Sequence, residues 1–118
     1  MTLQFKWVSN DVAVAGQLAP GDVAQAAQNG FQSIVNNRPD LEGGPGQPTS
    51  ASIAEAASDA GVAYAFLPVQ SGFQSPEEIA TMRGLLDKLP KPVLAFCRSG
   101  ARTGNLYRAA KNGPPRSK

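Results

Sequence analysis

A chain of 118 residues supports one domain with a single modest core. Its composition, 42% hydrophobic and 17% charged, is that of a globular protein, and a net charge of +2 without aromatic–basic interleaving argues against nucleic acid as a partner. The single cysteine excludes an internal disulfide and argues against a structural zinc site, and the absence of histidine excludes every mechanism with a histidine base. No run approaches membrane-spanning length and "MTLQFKWVSN" lacks a signal-peptide core, so a cytoplasmic location is the default expectation.

The predicted elements alternate between strand and helix, the pattern of an α/β layer fold with a mostly parallel sheet. "QFKWVS" and "VAVAGQ" are short opening strands, joined as a hairpin through Asn10-Asp11. Pro20-Gly21-Asp22 opens a helix to about Gln28, stopped by Asn29-Gly30. "FQSIVNN" is a strand with Ile34 and Val35 buried, and it runs into the loop "NNRPDLEGGPGQPT", whose prolines and glycines exclude regular structure. Thr49 or Ser50 caps a second helix closed by Gly61, and "VAYAFLPV" is the next strand. Ser75-Pro76-Glu77-Glu78 starts a third helix, with proline at the first helical position and acids at the positive end of the dipole. "PVLAFC" is a continuous apolar strand of the central, doubly covered kind, and a last helix is expected from near Thr103 to before Gly113-Pro114-Pro115. Residues 1–112 form the catalytic domain on this reading, and 113–118 a flexible tail.

Chemistry concentrates in "LAFCRSGARTGN". A strand that turns abruptly into a helix leaves backbone N–H groups pointing into the turn, beside the positive end of the helix dipole. Arg98, Ser99, Gly100 and Ala101 supply those amides, and Gly100 permits backbone geometry that side chains resist. Arg102 can clamp an oxyanion with two parallel hydrogen bonds, and the same field lowers the pKa of Cys97. Ser99 or Thr103 can donate to the sulfur or to a leaving group. A lone cysteine after an apolar strand is most often a small buried hydrophobe. Here strand end, cysteine, glycine, arginine and helix start coincide, which favours a nucleophile in an anion site.

The loop resembles the active sites of two enzyme groups. Four residues separate Cys97 from Arg102, the count of rhodanese-type sulfurtransferases and one fewer than in cysteine-based tyrosine phosphatases. Thr103-Gly104 is phosphatase-like, whereas Phe96 stands where such phosphatases usually have histidine. Across residues 5 to 110, "AGQLAPGDV", "GFQSIVNNRPDLEGGPGQPT", "AGVAYAFLPV" and "PVLAFCRSGAR" resemble the beta-lactamase-hydrolase-like family with the phosphatase-like domain. That resemblance implies a compact, three-layer, tyrosine-phosphatase-like domain with no metal or cofactor of its own. It also implies a sulfur-transfer activity and a persulfide dioxygenase of the metallo-beta-lactamase type as partner.

Leaving-group chemistry bears on sulfur against phosphate independently. A phosphate monoester expels an alkoxide or phenoxide and calls for a general acid. The stretch "LPVQSGFQSPEE" holds no acid before Glu77, so Asp40 or Glu42 must substitute, and Asp40 also suits a turn or cap. Thiolate attack on thiosulfate or a persulfide expels a group that leaves without a proton. Sulfur transfer is therefore the first expectation, with Cys97 carrying the persulfide, Arg102 and the loop amides holding its charge, and Arg98 drawing in a small anionic donor before a thiol acceptor collects the sulfur. A phosphatase using Cys97, Arg102 and Asp40 is the alternative, and a non-catalytic docking module the third. Arg38 faces the Cys97 nest or pairs with Asp40 or Glu42, and Asn36 and Asn37 hydrogen-bond the loop or shape the turn. Trp7, Tyr64 and Phe66 are expected in the core, and Phe73, beside Gly72, is expected to touch ligand.

Overall fold

The most apolar strand of the chain occupies the middle of its sheet. The fold is that of a computed structural model describing residues 3–112, so the expected tail at 113–118 lies outside the described residues. Five strands, β1 (Lys6–Trp7), β2 (Val12–Ala15), β3 (Ser33–Asn36), β4 (Ala63–Phe66) and β5 (Val93–Phe96), form one sheet in the order β1-β2-β5-β3-β4. Only β1 runs antiparallel, pairing Lys6 with Val14 and Trp7 with Ala13. β5 pairs in parallel with β2 on one side and β3 on the other, in register from Val93 to Phe96.

Period-two alternation divides the side chains of these strands between two cores. Leu94, Phe96 and Ile34 point to the face covered by α1 (Pro20–Gln28) and α2 (Ser50–Ala60), where they meet Val23, Ala26, Ile53 and Ala57. Val93, Ala95 and Val35 point to the face covered by α3 (Pro76–Lys88) and α4 (Ala101–Asn112), against Met82, Leu106 and Ala110. The result is the expected three-layer α/β domain. No described helix is long and apolar enough to cross a membrane.

Local signals set the boundaries. Thr49 caps α2, its side chain accepting from the Ser52 amide, and Gly61 ends it with φ of 73°. Ser75 and Glu78 form a capping box on α3. The start of α4 differs from expectation: it begins at Ala101, inside the four-residue turn, because Gly100 at φ 94° reverses the chain in one step. Two expected core aromatics also lie at the surface. Trp7 is 47% exposed and stacks on Phe31 outside the short edge strand, and Phe66, at the carboxyl end of the other edge strand, is 39% exposed. A two-residue edge strand has no second layer over it, so its large side chain covers a neighbour instead of entering the core.

The β5–α4 turn is pressed against the end of β2. A Cβ on Gly16 would stand 3.1 Å from the Arg98 carbonyl oxygen, and one on Gly100 3.4 Å from the Ala15 carbonyl group. Gly100→Ala therefore combines a left-handed backbone with that close approach. A loss of about 1–2 kcal/mol is expected, read as a melting temperature several degrees lower.

Candidate active site

Cys97 follows the last residue of β5, at the carboxyl edge of the sheet where ligands gather in open α/β folds. Its amide donates to the Ala15 carbonyl at 3.3 Å, and the Arg98 carbonyl accepts from the Gln17 amide at 3.1 Å, so the turn is fastened to the β2–α1 connection. The thiol is buried, and two backbone amides converge on it: Gly100 N at 3.1 Å and Thr103 N at 3.4 Å from Sγ. Burial pushes the thiol pKa up. The Thr103 hydroxyl and the amides of Thr103, Ser99 and Gly100 outweigh that effect and bring it below the ordinary thiol value. The Thr103 hydroxyl is also within 3.0 Å of Asn37 Oδ1, so one hydroxyl proton serves either the thiolate or Asn37.

Asn37 is the buried support of this arrangement. Its amide N–H bonds the Phe96 carbonyl at 2.9 Å, its side-chain nitrogen donates to the Leu67 carbonyl at 2.9 Å, and its side-chain oxygen receives Thr103. Asn36 serves the turn, accepting from the Arg38 amide and donating to the Tyr64 hydroxyl.

Arg102 is the second residue of α4, and its side chain is 8% exposed. Nη1 donates to Glu42 Oε2 at 3.0 Å and to the Val69 carbonyl at 3.0 Å, and Nη2 donates to Glu42 Oε1 at 2.9 Å. Glu42 thus takes the end of the guanidinium fork. The remaining edge, made of Nε and the second Nη2 proton, is different: Nε is buried with no hydrogen-bond partner among the described residues. A buried donor left unpaired is costly, and here it belongs to an arginine that lines the same basin as Cys97. Glu42 is also paired with Arg38 Nε at 2.9 Å, and Arg38 Nη1 reaches Gln17 Oε1 at 3.0 Å.

The basin is lined by Cys97, Arg98, Arg102, Arg38, Glu42 and Phe73, along with Ser99, Ala101 and the Ser71–Gln74 turn. Phe73 is 63% exposed at its rim. The structure therefore brings together Cys97, Arg98, Ser99, Ala101, Arg102, Arg38 and Phe73, with Gly100 and Thr103 behind the sulfur. Asp40 is put to another use. It is exposed, and its Oδ1 accepts from the Ser50 amide at 2.7 Å at the start of α2, the capping role that its place after proline suggested. The carboxylate that enters the basin is Glu42. Its spacing of four from Arg38 was readable, but its bond to Arg102, 60 residues away, was not.

Hydrogen bonds from Arg102 lower the Glu42 pKa most; burial opposes them, and Arg38 adds to the lowering. A carboxylate whose folded-state pKa is depressed contributes stability that is present above its unfolded pKa, near 4.3, and lost as pH falls through the folded value. The melting-temperature difference between wild type and Glu42→Gln should stay constant from pH 8 to about pH 5 and shrink below about pH 4, as thermal scans across that range would show.

Comparisons with known proteins fit this geometry. A solved structure of a proposed phosphatase from Neisseria meningitidis Z2491 superposes with a TM-score of 0.81 and 34% identity, over 93% of this chain and 79% of that one. A structure of Tk-PTP matches with a TM-score of 0.74 at 21% identity, over 91% of this chain and 69% of that one, which shows the shared tyrosine-phosphatase-like fold. A beta-lactamase hydrolase-like protein of Agrobacterium fabrum is 34% identical over 100 residues, covering 85% of this chain but 23% of that protein, so the chain spans about a quarter of its relative's length. The family model described as "Beta-lactamase hydrolase-like protein, phosphatase-like domain" matches residues 4–113, and the chain belongs to that family.

Proposed function

We propose that the protein is a cysteine-dependent phosphatase that passes a phosphoryl group through a Cys97 phosphocysteine. The observation that carries this reading is the unpaired edge of Arg102 beside an amide-cradled, acidified thiol. The free Nε–H and Nη2–H form a parallel fork that fits two phosphoryl oxygens, and the loop amides hold the third. Thiolate attack forms the S–P bond as the P–O bond to the leaving group breaks, and water then releases phosphate. The phosphatase descriptions of relatives sharing this fold support phosphoryl transfer, which moves ahead of the sulfur transfer expected from loop length.

Sulfur transfer stands as the second reading on one observation. The turn from Cys97 to Arg102 holds four residues, and the basin offers no free carboxyl to protonate a leaving group. The two readings part in an intact-mass experiment. Protein quenched after a few turnovers of 2,4-dinitrophenyl phosphate should carry one phosphoryl group on Cys97, absent in Cys97→Ala. A sulfur adduct from thiosulfate, discharged by added glutathione, with no phosphoryl adduct, would transfer the assignment to the second reading. Asp40→Asn should keep wild-type turnover, because its carboxylate serves the α2 N-terminus.

A further inference from the structure

Resting on the phosphatase reading, we infer that the site is built for phosphoanhydrides: a terminal phosphoryl group whose leaving group is itself a phosphate that departs without a proton. The acidic side chains of this protein almost all lie away from the basin. All nine aspartates and glutamates fall among the described residues, and of these Glu42 alone lines the basin. Asp22, Asp40 and Glu78 accept from backbone amides at the starts of α1, α2 and α3. Asp11 and Asp87 line a separate hollow with Tyr107. Glu55, Asp59 and Glu77 lie on α2 and α3 and do not line the basin. Tyr64, the other phenol, is bonded to Ser50 and Asn36, and there is no histidine.

Glu42 cannot take the acid's part while it orients the arginine. The charged groups facing it are Arg102 from α4 and Arg38 from the β3–α2 loop, with Arg98 elsewhere on the same basin wall. Two direct guanidinium contacts keep its carboxylate ionised. Phosphate bound on the other edge of Arg102 need not displace it, because Nη2 has two protons and Glu42 uses one.

A site without an acid selects its leaving group by basicity. Phenoxide carries a pKa near 10, whereas a phosphate monoester's second pKa is about 6, so it leaves as the dianion at neutral pH. In the step proposed, the Cys97 thiolate donates an electron pair to the terminal phosphorus. The bridging P–O bond breaks, and its electron pair leaves on the departing phosphate. Water then cleaves the S–P bond, giving dihydrogen phosphate and regenerating the thiolate. The departing group is anionic, and the basin provides for it: Arg98 is exposed on its wall, and its guanidinium has no hydrogen-bond or ion-pair partner among the described residues.

The test compares kcat/KM for inorganic pyrophosphate, phenyl phosphate and 2,4-dinitrophenyl phosphate, without added metal. Pyrophosphate and the dinitrophenyl ester should exceed phenyl phosphate by about 100-fold or more, the usual contribution of the missing acid. The pH profile for phenyl phosphate, whose basic leaving group would draw on an acid if one were present, should rise to a plateau without the descending alkaline limb that an acid imposes. Arg98→Gln should lower kcat/KM for pyrophosphate about tenfold more than for the dinitrophenyl ester. Phenyl phosphate within tenfold of pyrophosphate, a descending limb, or an equal Arg98→Gln effect on both substrates would overturn the inference and leave the phosphatase reading standing. Turnover of none of the three, with no phosphocysteine, would remove the phosphatase reading and this substrate class together.

Discussion

Cys97→Ser is expected to cut turnover of 2,4-dinitrophenyl phosphate by on the order of 10⁴-fold or more while leaving phosphate binding within a few-fold of wild type. The asymmetry follows from where each function resides. The sulfur is the nucleophile only as a thiolate, and the Gly100 and Thr103 amides at 3.1 and 3.4 Å are placed to hold that anion. A serine hydroxyl is far less acidic, and a few hydrogen bonds do not bring an alkoxide into the neutral range. Anion binding depends instead on backbone amides and the Arg102 fork, neither of which the substitution removes. Steady-state kinetics and phosphate calorimetry on the same preparation read the two effects separately. Inactivation of the wild type by iodoacetamide should reach its plateau at a pH below the ordinary thiol range, because the thiol pKa is lowered. A plateau only above that range would remove the amide cradle as the activator.

The same side-chain economy explains what the sequence could tell and what it could not. The order of strands and helices, the central place of "PVLAF" and the abrupt strand-to-helix turn after Cys97 were legible because they rest on local signals: alternation, proline and glycine punctuation, and caps such as Ser75 with Glu78. The burial of Ile34, Val35 and the β5 residues followed from uninterrupted apolar character. The partner of Arg102 was not legible. Glu42 and Asp40 stand two residues apart in one irregular loop, and either could have entered the basin. Long-range ties decide between them: Ser50 captures Asp40, Gln47 bonds the Gly43 amide at 2.7 Å and the Pro39 carbonyl at 2.9 Å, and Glu42 is left facing the arginines. Leu41, with φ of 66°, turns the chain between the two acids and sends them in different directions. Asn37 was ambiguous for a similar reason. An asparagine in a turn bonds its own backbone or a distant group equally well, and here the distant group is Thr103. Trp7 and Phe66 were misplaced because an aromatic in a strand looks the same at the edge of a sheet as at its centre.

Arg102→Lys is expected to lower kcat/KM by about 10³–10⁵-fold, the range over which an arginine clamp on a transferring phosphoryl group acts, with only a small change in melting temperature. Lysine keeps the charge but offers a point donor, whereas Arg102 works through two edges at once. One edge is anchored by Glu42 and the Val69 carbonyl, and the other presents an unpaired Nε. That division makes Glu42 a positioning residue, and its role can be separated from direct chemistry. Glu42→Gln alone should raise KM and lower kcat/KM by about tenfold, because an amide offers one acceptor oxygen where the carboxylate offered two. In the Arg102→Lys background the same substitution should have almost no further effect, since the geometry it maintained is already lost. A carboxylate that itself handled the substrate's proton would behave differently: the two losses would multiply, and the single Glu42→Gln loss would grow with the basicity of the leaving group. Non-additive losses, together with a Glu42→Gln defect that is the same for phenyl and dinitrophenyl esters, are the outcome the two-edged arginine requires. Multiplying losses would return Glu42 to the acid's role and restore ordinary phosphate monoesters as substrates.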